Sequence, residues 1–247
     1  MFLENSQQER IMKRFKGIYT VAGKELGSYF SGPVAYIVIT IFLIFTGFSF
    51  FKDFFYFNQA EMRSLFQLFP ILFCFVIPAI TMRLFAEERH SGSLEILLTL
   101  PLSMYDIVLG KFFAALVFAI VMTAPTLFYL VTVLLVGSPD MGPIVGGYLG
   151  VVFLAAASVS IGLLFSSITR NQVVAFILAF AALFFLWLID KIVIFMPSSL
   201  VFLSQVGTDF HFQNISRGII DSRDIIYFLS LCAISIMLTV RILEKRR

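Results

Sequence analysis

Six stretches of this chain are continuously apolar over the length needed to cross a bilayer, and that constrains the fold more than any other feature. They run Val34 to Phe51, Leu65 to Met82, Ile107 to Val136, Ile144 to Ile168, Val173 to Ile189 and Ile225 to Leu243. A hydrocarbon core about 30 Å thick takes roughly 20 apolar residues per helix. Hydrocarbon offers no water to backbone N–H and C=O groups, so a spanning segment must be a helix or part of a closed barrel. Barrel strands alternate polar and apolar residues over about ten positions; these runs do not alternate. The expected fold class is an all-α integral membrane protein with six transmembrane helices. Composition agrees, with 60% hydrophobic and 13% charged residues against about a quarter charged in soluble proteins.

The domain organisation expected from this pattern is a cytoplasmic arm over residues 1–33 and one six-helix membrane domain over 34–247. The first apolar run follows a stretch of 33 residues rich in charge, with no small-residue cleavage site after a short apolar region, so it is expected to remain in the mature protein. Lys and Arg mark the cytoplasmic side of a membrane. With the N-terminus inside, that side collects Arg10, Lys13, Arg14, Lys16, Lys24, Arg83, Arg89, Lys111, Arg170, Arg241, Lys245, Arg246 and Arg247. Lys52, Arg63, Lys191, Arg217 and Arg223 remain opposite, so both termini are expected in the cytoplasm.

Before the first run, Ile11, Phe15, Ile18, Ala22, Leu26 and Tyr29 recur at three and four, with Lys13, Lys16, Thr20 and Lys24 on the other face. That spacing predicts an amphipathic helix lying in the membrane interface, lysines toward anionic headgroups, broken by Gly32 and Pro33; an amphipathic helix packed on a soluble partner is the alternative. Between the second and third runs lies a polar island, Glu87 to Lys111, too charged for hydrocarbon. Gly92 and Ser93 interrupt the helix leaving the membrane, and Leu94 to Leu98 can form only a short helical piece before Pro101. Its outward faces are expected to show Leu94, Leu97 and Leu98 beside Glu88 and Glu95. Ser103 with Asp106 fits a capping box opening the third span. Pro78 and Pro125 are expected to bend their helices. Gly146, Gly150, Ser158 and Gly162 recur near every fourth residue, the pattern of close helix approach, expected within one chain, with a dimer seam as the alternative.

Several chemistries are excluded or unsupported. No acidic or basic residue lies near the middle of a span, which argues against an ion-coupled carrier. No G-x-x-x-x-G-K-[ST] loop is present: Lys111 is followed by Phe112, and Tyr105 stands where the first glycine belongs. Glu87 and Glu88 are adjacent, so they point apart on a helix and read as charged surface rather than an acid–base pair. Cys74 and Cys232 fall within apolar runs and read as small buried hydrophobes. His90 reads as a solvated loop residue and His211 as a satisfied polar one, on opposite sides of the membrane, so no metal site is expected. Most of the 31 phenylalanines read as core or lipid-facing. A membrane-embedded enzyme lacks any clustered acid, base or ligand here.

The run Met82 to Thr99, MRLFAEERHSGSLEILLT, followed by Pro101 and then Leu109-Gly110-Lys111, resembles the signature of type 2 ABC transporter permeases. The shared elements are an acidic-acidic-arginine cluster, a Gly-Ser pair, a Leu-Glu-x-Leu-Leu helix, a proline and a Gly-Lys. Lys24-Glu25-Leu26, Ser31-Gly32-Pro33, Gly137 to Asp140 and Asn171-Gln172 look most like the gliding-motility-associated branch, related to the nitrous oxide reductase maturation permeases. The resemblance implies a permease whose island forms a coupling helix seated on a separate ATPase subunit. It places Glu87, Glu88 and Arg89 at the end of the second span. Gly92, Ser93, Leu94, Glu95, Leu97, Leu98 and Pro101 belong to the coupling segment, and Phe15, Ile18, Lys24 and Leu26 to the interfacial helix. ATP and magnesium are then expected on the partner chain, with a second permease, identical or different, completing the path. Membrane lipid is an expected partner and nucleic acid is not. The expected setting is the bacterial inner membrane. The function so implied is export driven by a partner's ATP hydrolysis. An ATP-driven mechanical or assembly module that moves no solute is the alternative.

Overall fold

Backbone groups stripped of water must pair within their own segment, and the apolar runs do so as helices. The computed structural model describes residues 2–57, 61–99, 103–137, 139–193 and 198–245, with side chains for all of these except 2–15, 57, 96–98 and 198–201. The helices are α1 Phe2–Phe30, α2 Pro33–Phe57, α3 Arg63–Thr81, α4 Arg83–Ser91, α5 Ser93–Thr99, α6 Met104–Thr123, α7 Leu127–Val136, α8 Met141–Ile168, α9 Gln172–Val193, α10 Thr208–Ser216 and α11 Ser222–Glu244. Short 3-10 segments cover Ala124–Thr126 and Ser198–Val206, and no strand occurs among the described residues. Among the described residues six stretches are long and apolar enough to cross a membrane: Pro33–Tyr56, Arg63–Ser91, Met104–Val136, Met141–Ile168, Gln172–Val193 and Ser222–Glu244.

These helices run a few residues beyond the apolar runs because polar caps extend them. Ser103, Asp140 and Asp221 accept backbone N–H groups of Asp106, Gly142 and Arg223 at 3.1, 3.0 and 3.0 Å. Asp106 returns a bond to the Ser103 amide at 3.0 Å, completing the capping box. Pro125 has no N–H to donate, and it falls in the 3-10 turn that separates α6 from α7. The second span is interrupted at Met82, just past Pro78, where α3 gives way to α4.

α8 is the centre of the bundle. Added at Gly162, a Cβ would stand 2.1 Å from Thr81 Oγ1; at Gly147, 2.3 Å from the Phe66 ring; at Gly146, 2.3 Å from the Ile215 carbonyl. Those close approaches draw α3 and α10 onto α8, so the small residues serve packing within this chain. α2 and α9 are instead peripheral, exposing Ile37, Ile41, Ile44 and Phe48 on one and Val173, Ile177 and Phe185 on the other. In lipid such faces carry no hydrophobic penalty. Phe42, Phe50, Phe66, Phe69, Phe73 and Phe118 are buried within the bundle. Cys74 and Cys232 are free and buried.

The helix expected at the membrane interface forms as α1, but its inner face is not left for lipid. Val21 and Tyr29 are buried, and Val21 packs against Gly110 at the start of α6. A three-and-four spacing records only that one face is covered, and here the cover is the chain's own third span. Lys16 and Lys24 stay exposed on the other face.

The same substitution at two glycines should act with opposite sign. Gly162→Ala drives a Cβ into Thr81, whose hydroxyl is tied to the Ile77 carbonyl at 2.9 Å, and should destabilise by about 1–3 kcal/mol. Gly23→Ala meets nothing within 4 Å and removes helix-interior glycine, so it should stabilise by up to about 1 kcal/mol. Thermal unfolding in detergent reads both.

Candidate functional site

The polar island folds into an elbow. α4 leaves the bundle beyond Met82 and ends at Gly92, whose φ of 74° is the left-handed conformation that stops a helix and suits glycine. The chain turns there, with the Glu95 amide bonding the Gly92 carbonyl at 3.2 Å and Ser91 and Ser93 hydroxyls 2.9 Å apart, and α5 follows. Glu87, His90 and Glu95 are exposed along this arm.

Side chains from two other helices hold the bend at Met82. A helix beginning at Arg83 leaves its first amides in need of acceptors. The Phe85 and Ala86 amides donate to Ser166 Oγ of α8 at 3.0 and 3.2 Å, and that hydroxyl donates to the Met82 carbonyl at 2.9 Å. One buried hydroxyl thus uses its donor and both acceptor positions across the bend. Four residues earlier, Gly162 admits Thr81, which seats α3 against the same stripe. The Tyr29 hydroxyl of α1 donates to the Ile80 carbonyl at 3.0 Å, and the Arg83 guanidinium lies 4.6 Å over its ring. Burial pushes the Tyr29 hydroxyl far above its usual range, so it remains a donor. Arg89 Nη1 donates to the Ser167 carbonyl at 2.7 Å, supplying a cation to the last turn of α8.

Beside the bend sits a buried ion triad. Lys111 Nζ of α6 is 2.7 Å from Glu25 Oε1 of α1 and 2.8 Å from Glu88 Oε1 of α4. None of the Lys111 side chain is exposed, against 14% and 16% for the two glutamates. The ammonium also lies 5.2 Å from the Phe85 ring centroid. The preceding residue makes the geometry accessible: a Cβ at Gly110 would stand 2.6 Å from the Val21 Cβ and 3.0 Å from the Ile18 carbonyl. Glycine brings α1 close, and lysine then bonds it.

This placement corrects two expectations. Glu88 is not charged surface: it turns inward to Lys111, while its neighbour Glu87 points out. Leu94 is not on an outward face either; it is buried in the main core, at the first turn of α5 beyond the stop at Gly92. The island residues Glu87, Glu88, Arg89, Gly92, Ser93, Leu94 and Glu95 are brought together on one arm. Ile18 and Leu26 are half-buried and Lys24 is exposed on α1. The side chains of Phe15, Leu97 and Leu98, and all of Pro101, lie outside the described residues. Sequence reasoning missed Glu25, Tyr29, Arg83 and Ser166 as parts of the joint. Lys111 carried a signal, being a charge near the start of the third span; Glu25, within α1, and Ser166 carried none.

A bundle of six spanning helices with a broken, clamped second span defines a multi-pass all-helical membrane protein. The family model described as ABC-2 family transporter protein matches residues 19–244, and the chain belongs to that family, whose members are membrane permease components of ABC transporters. No curated protein matches the chain.

Removing one member of the triad should cost more than removing all three. Lys111→Met leaves two carboxylates in a site with little water and should destabilise by about 3–5 kcal/mol. Adding Glu25→Gln and Glu88→Gln to that variant should restore most of the loss, a non-additivity measured by denaturant unfolding of the single and combined variants. Additive losses would remove the triad as a unit.

Proposed function

We propose that this chain is the membrane-spanning permease subunit of an ATP-driven exporter, and that α4 and α5 form the arm on which a separate ATPase subunit seats. The observation that carries this reading is the two-sided character of the elbow. Its inner side is tied to α1, α6 and α8 through Glu25, Lys111, Ser166 and Ser167, while Glu87 and Glu95 face outward. A short helix held at its base by three other helices moves with them when pushed. A chain without a nucleotide loop of its own draws its energy from such a push.

In this reading the elbow end is cytoplasmic, in agreement with the distribution of Lys and Arg. The membrane is the bacterial inner membrane, with both termini inside. ATP and magnesium bind the partner chain and not this one. α1 lies along the membrane surface with Lys16 and Lys24 toward headgroups, and its inner face couples to α6. The peripheral apolar faces of α2 and α9 suit lipid or a second permease subunit, which completes the translocation path. Within the family, Lys24-Glu25-Leu26, Ser31-Gly32-Pro33 and Asn171-Gln172 favour the gliding-motility-associated branch.

Reversing the exposed charges separates docking from folding. The double variant Glu87→Arg, Glu95→Arg should unfold at the wild-type temperature yet bind its ATPase about tenfold more weakly, equivalent to roughly 1.4 kcal/mol. Co-purification from native membrane, with the captured ATPase identified by mass spectrometry, measures it. Unchanged recovery of the ATPase would count against the arm as its seat.

A further inference from the structure

The connection from α9 to α11, at the end of the bundle away from the elbow, folds back on the membrane domain. α10 packs on α8, where Phe212 and Ile215 lie against Gly150. Within it His211 is buried, its ring stacked on Tyr227 of α11 with centroids 4.0 Å apart. Nδ1 is 2.6 Å from Asp224 Oδ1, and Nε2 is 2.7 Å from the Gln205 carbonyl oxygen. A carbonyl only accepts, so Nε2 must carry a hydrogen. The contact with Asp224 also needs a proton, whether it sits on Nδ1 or on the carboxyl. Both contacts are hydrogen bonds only when the pair holds two protons, one more than a neutral imidazole beside a carboxylate.

We infer that His211 and Asp224 form a proton-held latch joining the 3-10 segment Ser198–Val206, α10 and α11. When the extra proton leaves to solvent, the ring's remaining N–H can serve Asp224 or the Gln205 carbonyl, but not both. The other contact becomes lone pair against lone pair, and the hold of α10 on either α11 or the 3-10 segment is loosened, leaving the Tyr227–Val206 bond as the tie between those two. Few other groups can take the proton's place. Asp224 Oδ2 is buried with no hydrogen-bond partner among the described residues, and Asn214 Nδ2 reaches Oδ1 only at 3.5 Å. On α10 and α9, Asp209, Lys191 and Asp190 are engaged with one another, and Gln213 donates to Asp209 at 2.8 Å. α8 offers Tyr148 as its one titratable residue and α3 offers Arg63 and Cys74, while the 3-10 segment has none. On α11, the Tyr227 hydroxyl donates to the Val206 carbonyl at 2.6 Å, and Arg223 is exposed.

The sign follows from proton number. The latched form binds one proton more than the released form, so acid favours it and rising pH opens it. Beyond the release point the latched population falls about tenfold per pH unit. This latch stands on residues remote from the elbow and is independent of the ATPase reading.

The test is hydrogen–deuterium exchange on the full chain in lipid nanodiscs from about pH 5 to pH 9, a span that covers the ordinary charge change of histidine side chains, corrected for the intrinsic pH dependence of exchange. In the wild type, protection of peptides spanning 202–212 and 222–230 should drop in a one-proton step as pH rises, while peptides of α8 stay protected. His211→Gln should be poorly protected at every pH. Asp224→Asn should stay protected throughout, because the new amide can donate to Nδ1 while Nε2–H still serves Gln205. A wild type without a step, or an Asp224→Asn variant that keeps the wild-type step, overturns the latch. Should His211→Gln fail to fold, the Asp224→Asn comparison decides alone.

Discussion

An ammonium group withdrawn from water loses several kcal/mol of solvation unless opposite charge meets it at hydrogen-bond distance. Lys111 is withdrawn completely, and the two carboxylates that meet it come from α1 and α4, far apart in the chain. The requirement to satisfy that one charge therefore fixes the relative positions of three helices. Gly110 belongs to the same requirement, since a side chain there would hold α1 away from α6. The Gly-Lys dipeptide is one physical unit: close approach, then charge.

The bend at Met82 obeys a parallel constraint, exercised on the backbone instead of a charge. Amides and carbonyls near a break in a membrane helix need partners supplied from outside the segment. Ser166 and Tyr29 supply them from α8 and α1. α8 is thus involved twice. Its Gly162 and Ser166 receive the bend, and its Gly146 and Gly150 receive α10 at the other end. The elbow and the far-end connection are thus packed on the same helix.

Much of the fold was legible because hydrophobic run length and capping chemistry are local. The six spans, the capping box at Ser103 and Asp106, the stop at Gly92 and the turn at Pro125 all follow from residues within a few positions of one another. The candidate site was legible only in outline. Glu88 reads as surface when its neighbours are Glu87 and Arg89, and only the fold places Lys111 beside it. Leu94 in a short polar arm reads as exposed, and only the fold shows it buried in the core. Val21 and Tyr29 belong to a periodic face whose cover could be lipid, a partner or the chain itself. Nothing about a serine near the end of a long apolar run marks Ser166 as an acceptor for another helix's amides.

By itself the sequence determined that this is a six-span helical membrane protein with a broken polar elbow, because hydrocarbon imposes its demands one segment at a time. Membership of the ABC-2 transporter family adds the role of a permease component. The tertiary structure alone decided which buried charges and broken backbone groups would satisfy one another. Glu25 with Lys111 and Glu88, Ser166 with the amides beyond Met82, and His211 with Asp224 and Gln205 join separate helices at hydrogen-bond distance. Such pairings depend on helix rotation and approach to within an ångström, and no local pattern in a chain specifies those.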